Sequence, residues 1–255
     1  MKIALIIIGD EILDGLREDE NFKVARKNLK NVHIRFDQLL FVRDNLLDLK
    51  RVLNFTKDYF DVVITSGGLG LTPDDITLKA FSEAFNVPLV KSKEKREIVK
   101  KNIERVNAIQ YIDLIDELSE GLLGSMPIEN PTGVAAGEKI KIGNTTFYIL
   151  PGVPREFEAM IKIVVSDLNF APENSVVKVI YEVDEKEARL IKVLRAIESN
   201  FNVKTASYPP IHLEEKLRII LYGKNGLLNE AKEYFESTLK NAKITFKEIS
   251  PSHTS

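Results

Sequence analysis

The chain has 255 residues, 44% hydrophobic and 29% charged, with a formal net charge of −2. This length allows one large domain or two modest ones, and the near-neutral charge gives no electrostatic case for nucleic acid or an anionic membrane as main partner. With no cysteine and only His33, His212 and His253 scattered along the chain, disulfides and cysteine nucleophiles are excluded. Any metal here would need oxygen ligands, as Mg²⁺ or Mn²⁺ takes.

The chain opens on a β-branched run, Ile3–Ile8, of the kind buried on both faces of a sheet. It is too short for a signal peptide or a membrane span, so a cytoplasmic protein without membrane association is expected. Gly9-Asp10-Glu11-Ile12-Leu13-Asp14-Gly15 follows directly, either as a strand end with surface acids or as a ligand turn. Asn21–Leu29 has helical spacing, with Phe22, Ala25 and Leu29 on one stripe. Ile34–Val42 reads as a strand, Leu46–Lys57 as a helix and Asp61–Thr65 as a strand.

Thr65-Ser66-Gly67-Gly68-Leu69-Gly70-Leu71-Thr72-Pro73-Asp74-Asp75 comes next, ahead of a helix over Pro73–Phe85. A glycine-rich strand-to-helix turn presents backbone N–H groups where phosphate binds well. Two carboxylates behind it would repel a bare phosphate, and they make sense with a divalent cation between the two. Asp10 or Glu11 is then expected to face Asp75 across neighbouring strand ends and share that cation. Asp75 is read as the ligand and Asp74 as the helix-start residue.

Lys91–Arg105 reads as a charged helix whose long basic face is solvated. Glu129–Gly137 holds small and turn-forming residues, either a loop into a hairpin or a wall that a planar ring approaches closely. Thr145–Leu150 is a strand and Pro154–Val165 a helix with Pro154 in its first turn. Arg155 opposes the dipole of that helix. It either neutralises a ligand phosphate or pairs with Glu156 or Glu158. This alternation implies an α/β domain, a mostly parallel sheet covered by helices on both sides, with ligands gathering at the carboxyl ends of its strands.

The last third changes character. Val176–Val183, Val203–Tyr208, Glu215–Tyr222 and Lys243–Glu248 read as strands, and Glu185–Phe201 and Leu227–Lys240 as helices. The order βαββαβ implies a small α+β domain over 174–250. It is joined to the first domain, 1–168, through the polar, proline-containing Asn169–Asn174. Ser250–Ser255 reads as a frayed tail.

Four segments in this order, Gly9–Leu13, Thr65–Asp75, Asn130–Gly137 and Leu150–Phe157, resemble the molybdopterin-binding domain of the CinA (competence/damage-inducible) family. The resemblance covers about residues 1–168, and the segment after it is similar to the family's small KH-like domain. It implies a three-layer α/β/α fold, and it places Asp10 and Glu11 on an acidic metal and ligand turn. Thr65, Ser66, Gly67, Gly68, Gly70 and Thr72 fall on a phosphate loop, with Asp75 its acidic residue. Asn130, Gly133 and Gly137, then Gly152, Pro154 and Arg155, complete the cleft. Leu71 stands where the family has proline and Ser66 where it has glycine. The family's Lys-Gln-Ala segment has no match beyond Arg105–Gln110. The chain stops near residue 255, so the nicotinamide-mononucleotide deamidase activity of longer relatives is not expected.

The resemblance implies a metal-dependent pyrophosphatase acting on ADP-ribose or a related dinucleotide. Asp10, Asp75 and Arg155 would be catalytic, and Mg²⁺ or a similar ion would be held by Asp10, Glu11 and Asp75. The alternative is a molybdopterin- or nucleotide-binding protein, or an adenylyl transferase, of molybdenum-cofactor biosynthesis. A third reading is RNA binding through Gly223-Lys224-Asn225-Gly226 or Gly121-Leu122-Leu123-Gly124, but the nearly balanced charge of the last third gives it no footprint. The small domain is read instead as a packing or dimerisation module. A homo-oligomer, a dimer first, is expected, with a nucleotide or pterin phosphate as the small-molecule partner.

Overall fold

In the computed structural model, residues 1–31, 35–168, 177–212 and 215–249 are described. The chain divides into two units, Met1–Phe170 and Ala171–Ser255. The expected join over Asn169–Asn174, the tail Ser250–Ser255 and the expected strand starts at Ile34 and Val176 lie outside the described residues.

The first unit carries β1 (Ile3–Ile8), α1 (Asp10–Leu13), α2 (Asn21–Asn31), β2 (Gln38–Val42), α3 (Leu46–Tyr59) and β3 (Val62–Ser66). Then come α4 (Thr77–Phe85), β4 (Leu89–Lys91), α5 (Lys93–Arg105), α6 (Ile115–Leu118), β5 (Glu120–Leu122), β6 (Met126–Ile128), β7 (Gly137–Ile142), β8 (Thr145–Leu150) and α7 (Pro154–Asp167). Six strands form one sheet in the order β2-β1-β3-β8-β7-β6. β2, β1, β3 and β8 run parallel, while β7 is antiparallel to both of its neighbours.

The alternation of side chains along a strand explains the layers. Ile3, Leu5 and Ile7 of β1 join Val62 and Ile64 of β3 in a core with Ala25 and Leu29 of α2 and Phe157, Met160, Ile161 and Val164 of α7. Ala4, Ile6 and Ile8 point the other way, into a core with Leu49 and Leu53 of α3 and Ala80 and Phe81 of α4. The sheet is therefore covered on both faces, which is why its central strands read as unbroken apolar runs. Phe81 and Phe147 meet edge to face at 5.2 Å between centroids and seat α4 on β8. Asn45 caps α3, its side chain accepting from the N–H groups of Leu47 and Asp48 at 3.0 and 3.2 Å.

Two helices begin later than the sequence reading places them. The helix after the glycine turn begins at Thr77, not Pro73, because residues 72–75 close a turn of their own, with Asp75 N–H donating to Thr72 O at 2.9 Å. Asp74 is therefore not a helix-start residue. The helix expected from Lys91 begins at Lys93, capped by Ser92, and Leu89–Lys91 instead pairs with β5. Its basic face is not wholly solvated. Lys95 is buried, and its ammonium meets Glu138 at 2.5 Å and donates to Glu120 O at 2.7 Å.

The second unit follows the expected βαββαβ order: β9 (Val177–Val183), α8 (Glu187–Phe201), β10 (Lys204–Tyr208), β11 (Leu217–Gly223), α9 (Asn225–Asn241) and β12 (Phe246–Glu248). Its antiparallel sheet has the order β10-β11-β9-β12 and shares one core with both helices, centred on Tyr181, Ile197, Ile219 and Phe235. Phe201 packs against this core, whereas Tyr208 is exposed. Gly223-Lys224-Asn225-Gly226 is the junction between β11 and α9 rather than a loop between helices. Among the described residues, no helix is long and apolar enough to cross a membrane.

Candidate functional site

The carboxyl ends of β1, β3 and β8 are neighbours in the sheet, so the turns after them meet. The glycines explain how closely. Gly67 has φ +117°, and a β-carbon there would lie 2.2 Å from Ile8 O at the end of β1. Gly68 has φ +67°, and its β-carbon would lie 2.3 Å from Thr77 Oγ1. A β-carbon on Gly152, after β8, would lie 3.1 Å from Gly67 Cα. Three backbones thus pack against one another with no room for side chains.

The glycine turn is pinned from both sides. Gly67 N–H donates to Leu150 O at 3.1 Å and continues the ladder with β8, so it is not available to a ligand. Thr77, buried at the first position of α4, donates its hydroxyl to Gly67 O at 2.8 Å and its N–H to Gly68 O at 3.1 Å. The N–H groups of Gly68, Leu69, Gly70 and Leu71 have no hydrogen-bond partner among the described residues. They form a run of unpaired donors between β3 and the 72–75 turn. Thr77 carries no motif signal; its role depends on a contact ten residues back.

The carboxylates are arranged differently from the expectation. Asp75 turns back on its own loop, accepting from Thr72 N–H at 2.8 Å and from the Thr72 hydroxyl. Asp10 pairs with Arg43 at 3.2 Å, and Arg43 also grips Asp14 at 2.7 Å. That grip holds the Asp14 carboxyl below the usual range. Glu11 folds over Gly9, where a β-carbon would come within 2.6 Å of its carboxylate. The acid that draws these turns together is Asp44, after β2, which accepts from Asp10 N–H at 2.9 Å. Burial pushes its carboxyl above the usual range, and the nearby carboxylates of Asp10, Glu11 and Asp74 push the same way. Among the described residues, no group of three or more His, Cys, Asp or Glu is placed to hold a metal ion. Asp10, Glu11 and Asp75 as arranged do not make a donor set for one.

The fourth segment packs against α7. Asn130 is fully buried; its amide N–H groups go to Ala135 O at 2.9 Å and Glu156 Oε2 at 2.7 Å, and its oxygen accepts from Thr132 N–H at 3.2 Å. β-Carbons on Gly133 and Gly137 would strike the Glu156 carboxylate at 2.1 Å and the Met160 methyl at 2.6 Å. Protein atoms, rather than open space for a planar ring, lie against these glycines. Arg105 holds the loop through Asn130 O at 3.2 Å.

Pro154 is the first residue of α7, with Val153 as the extended cap. Arg155 beside it is exposed; its backbone O accepts from the Thr132 hydroxyl at 3.3 Å, but among the described residues its guanidinium makes no hydrogen bond or ion pair. Its two candidate partners are engaged, Glu156 with Asn130 and Glu158 with Lys162 at 3.5 Å. A cation without an anion therefore stands at the positive end of a helix. The sequence reading passed over Asn21, the first residue of α2. Its Nδ2 donates to Ser66 Oγ at 2.7 Å and to Gly152 O at 2.7 Å, while its Oδ1 is buried without a partner among the described residues. Thr65 Oγ1 at the end of β3 is likewise buried and unpaired among the described residues.

Residues 4–169 match the family described as "Probable molybdopterin binding domain". A CinA-like protein of Petrotoga mobilis is 30% identical over 207 residues, 80% of this chain and 51% of that protein, so the chain spans about half its length. Protein TK1472 of Thermococcus kodakarensis is 30% identical over 246 residues, 93% of this chain and 97% of that one. The crystal structure of a CinA protein of unknown function from Thermoplasma acidophilum superposes with a TM-score of 0.58 at 28% identity, covering 66% of this chain and 97% of that chain. The chain belongs to the CinA-like family, with a probable molybdopterin binding domain at its N-terminus.

Proposed function

We propose that the first unit binds a phosphorylated pterin or nucleotide at the carboxyl ends of β1, β3 and β8, with molybdopterin as first candidate. The observation that carries this is the run of unpaired N–H groups at Gly68, Leu69, Gly70 and Leu71. Consecutive backbone donors attract an anion, and a phosphate oxygen satisfies several of them at once. Arg155, unpaired at the start of α7, adds the charge that a phosphate needs. The family description supplies the pterin.

Binding is a better account of this site than metal-dependent pyrophosphate cleavage. Cleavage as first expected needs Asp10, Glu11 and Asp75 to share a cation, yet Asp10 is committed to Arg43 and Asp75 to Thr72. The test is a thermal-shift and calorimetric panel of AMP, ADP-ribose, FAD and molybdopterin, each with and without Mg²⁺. At one hundred times its Kd, a ligand stabilises the fold by about 2.7 kcal/mol. The expected result is stabilisation by a phosphate-bearing ligand without added metal and without product. Stabilisation that requires Mg²⁺ and ends in AMP and ribose phosphate from ADP-ribose would restore the hydrolase reading.

A further inference from the structure

Asn21 is 6% exposed and joins two turns that are distant in sequence. Ser66, 45 residues away, leads into the run of unpaired N–H groups, and Gly152, 131 residues away, leads into Arg155. The orientation of the amide is fixed by chemistry. Gly152 O only accepts, so the atom facing it must be the amide nitrogen, and both of its hydrogens are used. Oδ1 then remains buried with no donor among the described residues.

Nothing in α2 calls for this arrangement. The helix start is already capped by Asp19, whose carboxylate accepts from Asn21 N–H at 3.1 Å and Phe22 N–H at 3.0 Å. A buried acceptor left unsatisfied is unfavourable, and such groups mark places where a fold gives up stability for a function. The return for this one is the bridge from Ser66 to Gly152.

We infer that Asn21 is a positioning residue of the phosphate site, setting the register between the donor run at 68–71 and Arg155 so that one phosphate group engages both. This rests on the binding reading above. Asn21 touches no ligand in this account and acts through the two turns it joins.

The consequence is coupling, which a residue that merely stabilises the fold would not produce. With AMP as probe, Arg155→Ala should weaken binding about tenfold or more in the otherwise native chain, as expected for loss of a charge-assisted hydrogen bond. In an Asn21→Ala background the same change should weaken it less than about threefold, because Arg155 no longer lies in register. Calorimetric titration of the four proteins measures this. Ser66→Ala cuts one of the two tethers from its other end, together with the longer bond that the Ser66 hydroxyl donates to Pro151 O at 3.4 Å. It should show the same loss of coupling to a smaller degree, and it decides the matter if Asn21→Ala does not fold. Equal Arg155→Ala effects in both backgrounds, or an Asn21→Ala protein with native AMP affinity, overturn the inference. AMP that binds the native chain equally well with or without Arg155 also overturns it while leaving the binding reading standing. Failure of AMP and every other phosphate ligand of the panel to bind the native chain overturns the binding reading itself, and the inference with it.

Discussion

The residues that shape the site divide by how far away their partners lie in the sequence. Gly67 and Gly68 were legible because a turn that needs positive φ and close backbone approach admits little else. Arg155 was legible as a cation at the wrong end of a helix. Thr77 and Asn21 were not, because a threonine or asparagine at a helix start is ordinary, and their contacts exist only once the strands are side by side. Asp75 was legible as a carboxylate behind glycines, but its hydrogen bonds from Thr72, three residues earlier, which occupy one of its two oxygens, were not. Thr77 gives the test at this scale. Thr77→Val keeps the shape and leaves the buried Gly67 O without its donor. It should lower stability by about 1–2 kcal/mol, measured by urea unfolding. An unchanged unfolding midpoint would mean that α4 does not pin the glycine turn.

At the scale of elements, strong periodicity located the long helices and the inner strands to within a few residues. Ile3–Ile8 and Thr145–Leu150 coincide with the reading. The pieces that escaped it were the three-residue strands β4, β5 and β6 and the one-turn helices α1 and α6, which are too short to show a period, together with β7, whose six residues were not read as a strand. α5 escaped in a different way. A run as charged as Lys93–Arg105 looks solvated all round, yet Lys95 faces Glu138 of β7, with their side chains 4% and 0% exposed. Glu138 also accepts from Leu122 N–H at 3.0 Å, so this one carboxylate ties α5, β5 and the main sheet together. Removing one partner of a buried pair strands the other charge. Lys95→Met should cost about 3–5 kcal/mol in urea unfolding, and pairing it with Glu138→Leu should recover much of that loss. A Lys95→Met change below about 1 kcal/mol would show that water reaches Glu138.

At the scale of the whole molecule, the α/β/α first unit and the βαββαβ second unit follow from where helical and strand periods alternate, and each unit encloses its own core. The sequence could place ligand turns at strand ends from topology alone, since strands in such a sheet present their carboxyl ends together. It could not say which polar groups at those ends are already satisfied, because those partners meet only once the strands lie side by side. The central claim is that the N–H groups of residues 68–71 await an anion. Its most direct test is amide NMR of the ¹⁵N-labelled full chain titrated with AMP, ADP-ribose and molybdopterin in the absence of divalent metal. The account predicts saturable shifts, for at least one of these ligands, concentrated at Gly68, Leu69, Gly70 and Leu71 and at the start of α7, with Gly67, held by Leu150 O, moving less. Binding that leaves those four amides unmoved, or that appears only when Mg²⁺ is added, would contradict it.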